Sequence, residues 1–178
     1  MIIGITGTNG AGKGTVVDYL KQKGFVHCSA RDFIAKEVER RGLPVTRVTL
    51  GQVGDDIRKS NAPGYIAREL LRMAQESGRD AVIESLRNVG EAQYLKSQGL
   101  VIWAVDAERG LRYERAVKRG SSTDHVTFEE FVAQEEAEMR QSDPHRMNIF
   151  GVMQMADVTL INDGTPEELY KQVEEALK

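Results

Sequence analysis

A chain of 178 residues with 40% hydrophobic and 29% charged residues has the size and balance of one globular domain, because domains commonly run to about 100 to 200 residues. Its formal net charge of -3 argues against a dedicated nucleic-acid binder, whose domains are basic overall, and no apolar run approaches the ~20 residues that a membrane span requires. The single cysteine, Cys28, excludes an internal disulfide framework and a cysteine-built zinc site, as a cytoplasmic location would predict.

The N-terminal MIIGITG has no basic segment ahead of its short apolar run, so Ile2 to Thr6 reads as a buried strand rather than a signal peptide. Gly7 to Thr15 then reads GTNGAGKGT and runs into a helix over Lys13 to Lys23, with Val16, Val17 and Leu20 on one face. Strand, glycine-rich loop and helix start, in that order, make a phosphate cradle. Backbone N–H groups from Thr8, Asn9, Gly10, Ala11, Gly12, Gly14 and Thr15 turn toward phosphate oxygens, the helix offers its positive end, and Lys13 adds a mobile charge for the β- and γ-phosphates. The expected ligand is ATP with Mg²⁺.

A weaker strand, Phe25 to Cys28, leads into SARDFIAKEVERRG and a helix over Asp32 to Arg41, with Arg31 and Asp32 near the cleft. Asp32 is read either as a group that takes the proton of an acceptor hydroxyl or orients it, or as a helix N-cap. Gly42 to Gly64 carries no strong pattern; such stretches are often functional lids. After a helix over Tyr65 to Ser77, the strand Ala81 to Glu84 delivers a carboxylate, with Ser85 and Arg87 following. Ligands of open parallel sheets bind at the carboxyl ends of strands, which points Glu84 at the phosphate loop as a metal-orienting group; a helix cap is the alternative.

A helix over Asn88 to Gln98 and a strand over Val101 to Val105 precede the helix Arg109 to Arg119. Arg112, Arg115 and Arg119 stand there at spacings of three and four. They are read as donors to a transferring phosphoryl group, or as a solvated face paired with Glu108 and Glu114. Gly120 to Val126 and Ser142 to Asn148 are patternless and flank a helix over Phe128 to Arg140, with Arg140 and Arg146 at a lid return. The strand Val158 to Ile161 and a helix Pro166 to Leu177 close the chain, the latter with Thr165 as N-cap and Glu168 completing a capping box. Continuous apolar runs alternating with helical spacing predict an α/β architecture: a five-stranded parallel sheet flanked by helices in three layers. The expected organisation is one domain, 1–178, with a small helical lid at about 115–148.

The loop GxxxxGKGT resembles that of nucleoside monophosphate kinases such as adenylate kinases, with Gly14 where many phosphate loops carry the metal-binding hydroxyl and Thr15 one place later. That resemblance implies a P-loop NTPase fold and a metal held by phosphates, water, Thr15 and the distant Glu84. In those kinases the corresponding strand commonly ends in aspartate, then glycine, then arginine; Glu84, Ser85 and Arg87 are similar but not identical. Their lid helix ends in arginines, matched by Arg115 and Arg119. SARDFIAK resembles the segment after the second strand of dephospho-coenzyme A kinases, with Asp32 followed by Ile34, Ala35 and Lys36. ADVTLINDGTPEEL resembles both groups and implies that Asn162, Asp163 and Gly164 border the adenine through backbone groups.

Arg31 and Ala35 stand where the adenylate-kinase acceptor segment has glycine and arginine, so Arg31, Arg58 and Arg87 form the candidate acceptor set. No His-Pro segment of the coenzyme A group is present. The resemblance, which extends to archaeal adenylate-kinase-related proteins, covers nearly the whole chain. It implies phosphoryl transfer from ATP to a small nucleotide-like acceptor, first a nucleoside monophosphate and alternatively dephospho-coenzyme A. An ATP-dependent switch or assembly factor is the reading from another class.

Overall fold

A computed structural model describes residues 1–120 and 126–178; most of the patternless stretch from Gly120 to Val126 thus lies outside the described residues. The chain order is β1 (Ile2–Gly7), α1 (Lys13–Gln22), β2 (Val26–Ser29), α2 (Ala30–Arg40), α3 (Arg47–Ser60), α4 (Tyr65–Glu76) and β3 (Ala81–Glu84). It continues with α5 (Val89–Ser97), β4 (Val101–Asp106), α6 (Arg109–Arg119), α7 (Phe128–Met139), α8 (Ile149–Met153), β5 (Val158–Ile161) and α9 (Pro166–Ala176). The strands form one parallel sheet in the order β2-β3-β1-β4-β5.

Burial explains the unbroken apolar runs. Ile3 and Ile5 of β1 pack with Val16, Val17 and Leu20 of α1 and Leu169 and Val173 of α9 on one face. Ile83 and Ile102 meet Ile34, Leu70, Leu71 and Leu95 on the other. Strands covered on both faces have no solvent side and hence no polar alternation. Because β1 and β3 are neighbours, with Ile5 level with Glu84, the carboxyl end of β3 opens beside the loop that leaves β1.

Three expectations shift. The second strand begins one residue later, at Val26. The helix after it starts at Ala30, and its N-cap is Ser29, whose side chain accepts from the Asp32 backbone N–H; Asp32 is therefore a first-turn residue and not the cap. The patternless Gly42 to Gly64 contains a fourteen-residue helix, α3, started by a capping box between Thr46 and Thr49. Gly51 and Gly54 mask it in sequence because glycine is a poor helix former. Gly54 sits in a close contact: a Cβ there would lie 3.2 Å from both Ile34 Cδ1 and an Arg58 terminal nitrogen. No helix of the described residues is long and apolar enough to cross a membrane.

Candidate active site

The loop between β1 and α1 is built as a cradle. Gly12 takes φ +97°, and a Cβ on it would come 2.2 Å from Asn162 Nδ2. That amide, at the end of β5, donates to Ala11 O at 2.8 Å and so braces the loop from outside. Asn162, expected to border the adenine through its backbone, also accepts from Arg115 at its carbonyl at 2.7 Å, tying α6 to β5. Thr8, buried, donates to Asp106 Oδ1 at 2.7 Å, which pins the other side of the loop to the end of β4. Asp106 went unread in the sequence, although it sits at a strand's carboxyl end as Glu84 does.

Lys13 does not project freely. Its Nζ donates to Gly7 O at 3.0 Å and Thr8 O at 2.8 Å. Burial lowers its pKa to about 8, the charges of Arg87 and Arg119 acting with burial and those of Glu84 and Glu138 against it. Across from it Glu84 accepts from Ser85 Oγ at 2.6 Å and lies 3.7 Å from His27 Nε2. Burial pushes this carboxyl up, but His27, Lys13 and Ser85 outweigh it and hold the group below its usual range. Ser85 has φ +70°, the sole positive value among described non-glycine residues. A positive φ at a non-glycine residue is a strained arrangement of the kind that clusters at functional sites.

Two cavities open on either side of this pair. The larger, about 800 Å³, is lined by Gly10, Gly12, Lys13, Gly14 and Thr15 of the loop and helix start, together with Arg115, Arg119, Asn162 and Gly164. The smaller, about 320 Å³, is lined by Asn9, Arg31, Arg47, Arg58, Arg87 and Glu138 among others. Lys13, Glu84 and Arg119 line both. Arg119, the last residue of α6, also donates to Asn9 Oδ1 at 3.3 Å.

The smaller cavity is strongly cationic. Glu138 of α7, buried, accepts from Arg47 at 2.7 Å and from Arg87 at 2.7 Å. Burial raises this carboxyl, and the two arginines, Arg87 foremost, more than offset that. Arg58 lines the wall, but its Nε and one terminal nitrogen are given to the fully buried Glu91 at 2.9 and 2.7 Å. It supplies charge rather than an open fork. Arg31 is exposed at the rim. Asp32 is exposed on the first turn of α2 and lines neither cavity.

Arg112 was read as a lid donor or a solvated residue; it is neither. It is 5% exposed, forms a buried ion pair with Glu135 of α7 and donates to Ala107 O at 2.8 Å. Sequence reasoning missed Arg47, because it starts a helix hidden by glycines, and Glu138, because an acidic residue in AQEEAEM looks like any solvated helix face. His27 carried no signal beyond its place in a strand.

Several comparisons bear on this site. Residues 3–142 match a family model described as AAA domain. A UPF0200 protein of Thermococcus gammatolerans is 32% identical over 97% of this chain and 92% of its own length. Among solved structures, shikimate kinase from Acinetobacter baumannii covers 99% of the chain, and 92% of itself, with a TM-score of 0.66 at 16% identity. Dephospho-CoA kinase from Campylobacter jejuni covers 99% and 95% with a TM-score of 0.52 at 14% identity. The sheet, the loop and the flanking helices are thus those of P-loop kinases, and the chain belongs to the AAA-domain family and, with its archaeal relatives, to the UPF0200 proteins.

Proposed function

We propose that this protein is an ATP-dependent phosphotransferase that moves the γ-phosphoryl group onto a small anionic acceptor of nucleotide type, a nucleoside monophosphate first among them. The observation that carries this reading is the junction of the two cavities at Lys13, Glu84 and Arg119. A nucleotide in the larger cavity, its phosphates in the cradle, would present its terminal phosphorus toward an acceptor in the smaller one. Phosphoryl transfer needs in-line placement and charge stabilisation more than covalent chemistry from the protein, and two cavities that share Lys13 and Arg119 support such a role.

The donor set fits a magnesium nucleotide. The Thr15 hydroxyl and Glu84 carboxylate line the larger cavity, and no group of three or more His, Cys, Asp or Glu among the described residues could hold a metal alone. Mg²⁺ is characteristically bound through one or two carboxylates plus substrate phosphates; when bound it would neutralise phosphate charge. Glu84, kept ionised by His27, Lys13 and Ser85, would orient water on that ion. Lys13 and Arg119 would take up the charge that spreads over the transferring oxygens, and Arg115, anchored on Asn162, would hold the donor side. Arg31, Arg47 and Arg87 would bind the acceptor's anion. Residues near 115–148 would act as the lid: α6 brings Arg119 and α7 brings Glu138 to the junction.

The test is an acceptor screen with coupled ADP release over nucleoside monophosphates, dephospho-coenzyme A and shikimate. Acceptor-dependent release that is lost in Lys13→Ala supports the reading. ATP turnover indifferent to every acceptor would instead favour a nucleotide-driven switch.

A further inference from the structure

A third cavity, about 290 Å³, continues from the acceptor side. Arg47, Gly51, Glu138 and Met147 line both it and the second cavity, so the two form one trough between α3 and α7, with the Arg47–Glu138 ion pair at their common wall. The far end has a different character. Gln134 and Asp55 line it, and Gln134 Oε1 is buried with no hydrogen-bond partner among the described residues. Buried acceptors are nearly always matched, and an unmatched one is costly. Asp55 holds Arg58 at 3.4 Å and Arg146 at 3.7 Å, yet a carboxylate offers about four lone-pair positions and keeps capacity for another donor. Val48, Ala137 and Met147 supply apolar wall, and Gly51 leaves the passage open: a Cβ there would already lie 3.4 Å from Met147 Cε.

We infer that the third cavity is the subsite for the distal part of the acceptor, and that it takes an amino-bearing heterocycle whose N–H groups bond to Gln134 Oε1 and Asp55. This rests on the phosphotransferase reading, which places the acceptor's anion among Arg31, Arg47 and Arg87. It adds a choice between acceptors. Adenine and cytosine carry an exocyclic amine beside a ring nitrogen acceptor, the pattern a glutamine amide pairs with through both of its atoms. Uracil has one ring N–H between two carbonyl oxygens, so it can serve only one of the two acceptors and sets an oxygen against the other, and a bare sugar phosphate leaves the subsite empty.

The experiment is calorimetric titration of AMP, CMP, UMP and ribose 5-phosphate into protein saturated with Mg²⁺ and a non-hydrolysable ATP analogue, which keeps these probes out of the larger cavity. AMP and CMP are expected to bind about tenfold more tightly than UMP or ribose 5-phosphate, the size of one to two net hydrogen bonds. Gln134→Leu should bring AMP and CMP down to the ribose 5-phosphate level without changing the latter. Gly51→Leu, which fills the passage from a helix position that tolerates a side chain, should abolish the preference. Equal affinity for all four probes, binding of none of them, or a preference that survives both Gln134→Leu and Gly51→Leu overturns the subsite. Failure of the phosphotransferase reading has a separate signature: selective binding of AMP and CMP with no phosphoryl transfer to either.

Discussion

Arg112 and Arg119 lie two turns apart on α6, and the structure gives them opposite tasks. Arg112→Leu removes the partner of a carboxylate, Glu135, that is 4% exposed, together with the hydrogen bond to Ala107 O. Removing one member of a buried ion pair costs about 3–5 kcal/mol because the other charge is left unmatched. Arg109 Nε, 3.1 Å from Glu135 and 46% exposed, remains to offset part of this, which leads us to expect about 3 kcal/mol. For a chain of this size that is a fall of roughly 6 to 12 °C in melting temperature. Glu135→Leu should cost a similar amount, and the double variant less than either single change, since the unmatched charge is then gone. Urea and thermal unfolding of the three variants measure this directly. An Arg112→Leu protein that unfolds within ~0.5 kcal/mol of wild type yet loses activity would falsify the division of labour and return Arg112 to the phosphoryl site.

Other predictions concern the cradle and its charges. Lys13, at about 8 without ligand, should be protonated against bound triphosphate, so ATP binding should take up a proton and the uptake should grow from about pH 7 to about pH 9. Calorimetry in buffers of different ionisation enthalpy measures it, and zero uptake at the upper end contradicts the assignment. The same depressed pKa leaves the charged form penalised in the fold at low pH, so unliganded stability should rise as pH increases from about 8 toward the ordinary lysine value. Glu84→Gln keeps size and loses charge; we expect Mg²⁺-dependent kcat to fall at least about tenfold with nucleotide affinity nearly unchanged, and identical Mg²⁺ titrations of rate for variant and wild type would remove Glu84 from the metal site. Gly12→Ala, at φ +97° and against Asn162, should cost about 1–3 kcal/mol and weaken ATP binding. Gly14→Ala, whose new methyl meets no protein atom within 4 Å, should leave stability nearly unchanged, and an equal loss of stability in the two would argue against the cradle geometry.

The strands and most helices were legible because burial on both faces of a parallel sheet writes itself as continuous apolar runs, and because caps such as Thr165 with Glu168 are local chemistry. The phosphate loop was legible for the same reason: Gly12 and Lys13 answer to short-range geometry. What stayed hidden is long-range. Nothing near Glu138 in sequence reveals that Arg47, 91 residues away, and Arg87, 51 residues away, converge on it. Arg112 and Arg119 share a helix and a residue type, and only the position of α7 separates an ion pair from a site residue. α3 was missed because Gly54 packs against Ile34 of α2 and Gly51 against Met147, contacts that local propensity cannot register.

The central claim is that Lys13, Glu84 and Arg119 stand between a donor cavity and an acceptor cavity. Its most direct test is single-turnover transfer from γ-labelled ATP in the presence of the best acceptor, with wild type and Arg119→Ala side by side. The account predicts label on the acceptor, and a rate in the variant lower by roughly a hundredfold to a thousandfold at nearly constant ATP affinity and melting temperature, since a positioned cationic donor acts mainly on the transition state. Label appearing in inorganic phosphate alone, or equal transfer rates for the two proteins, would contradict it.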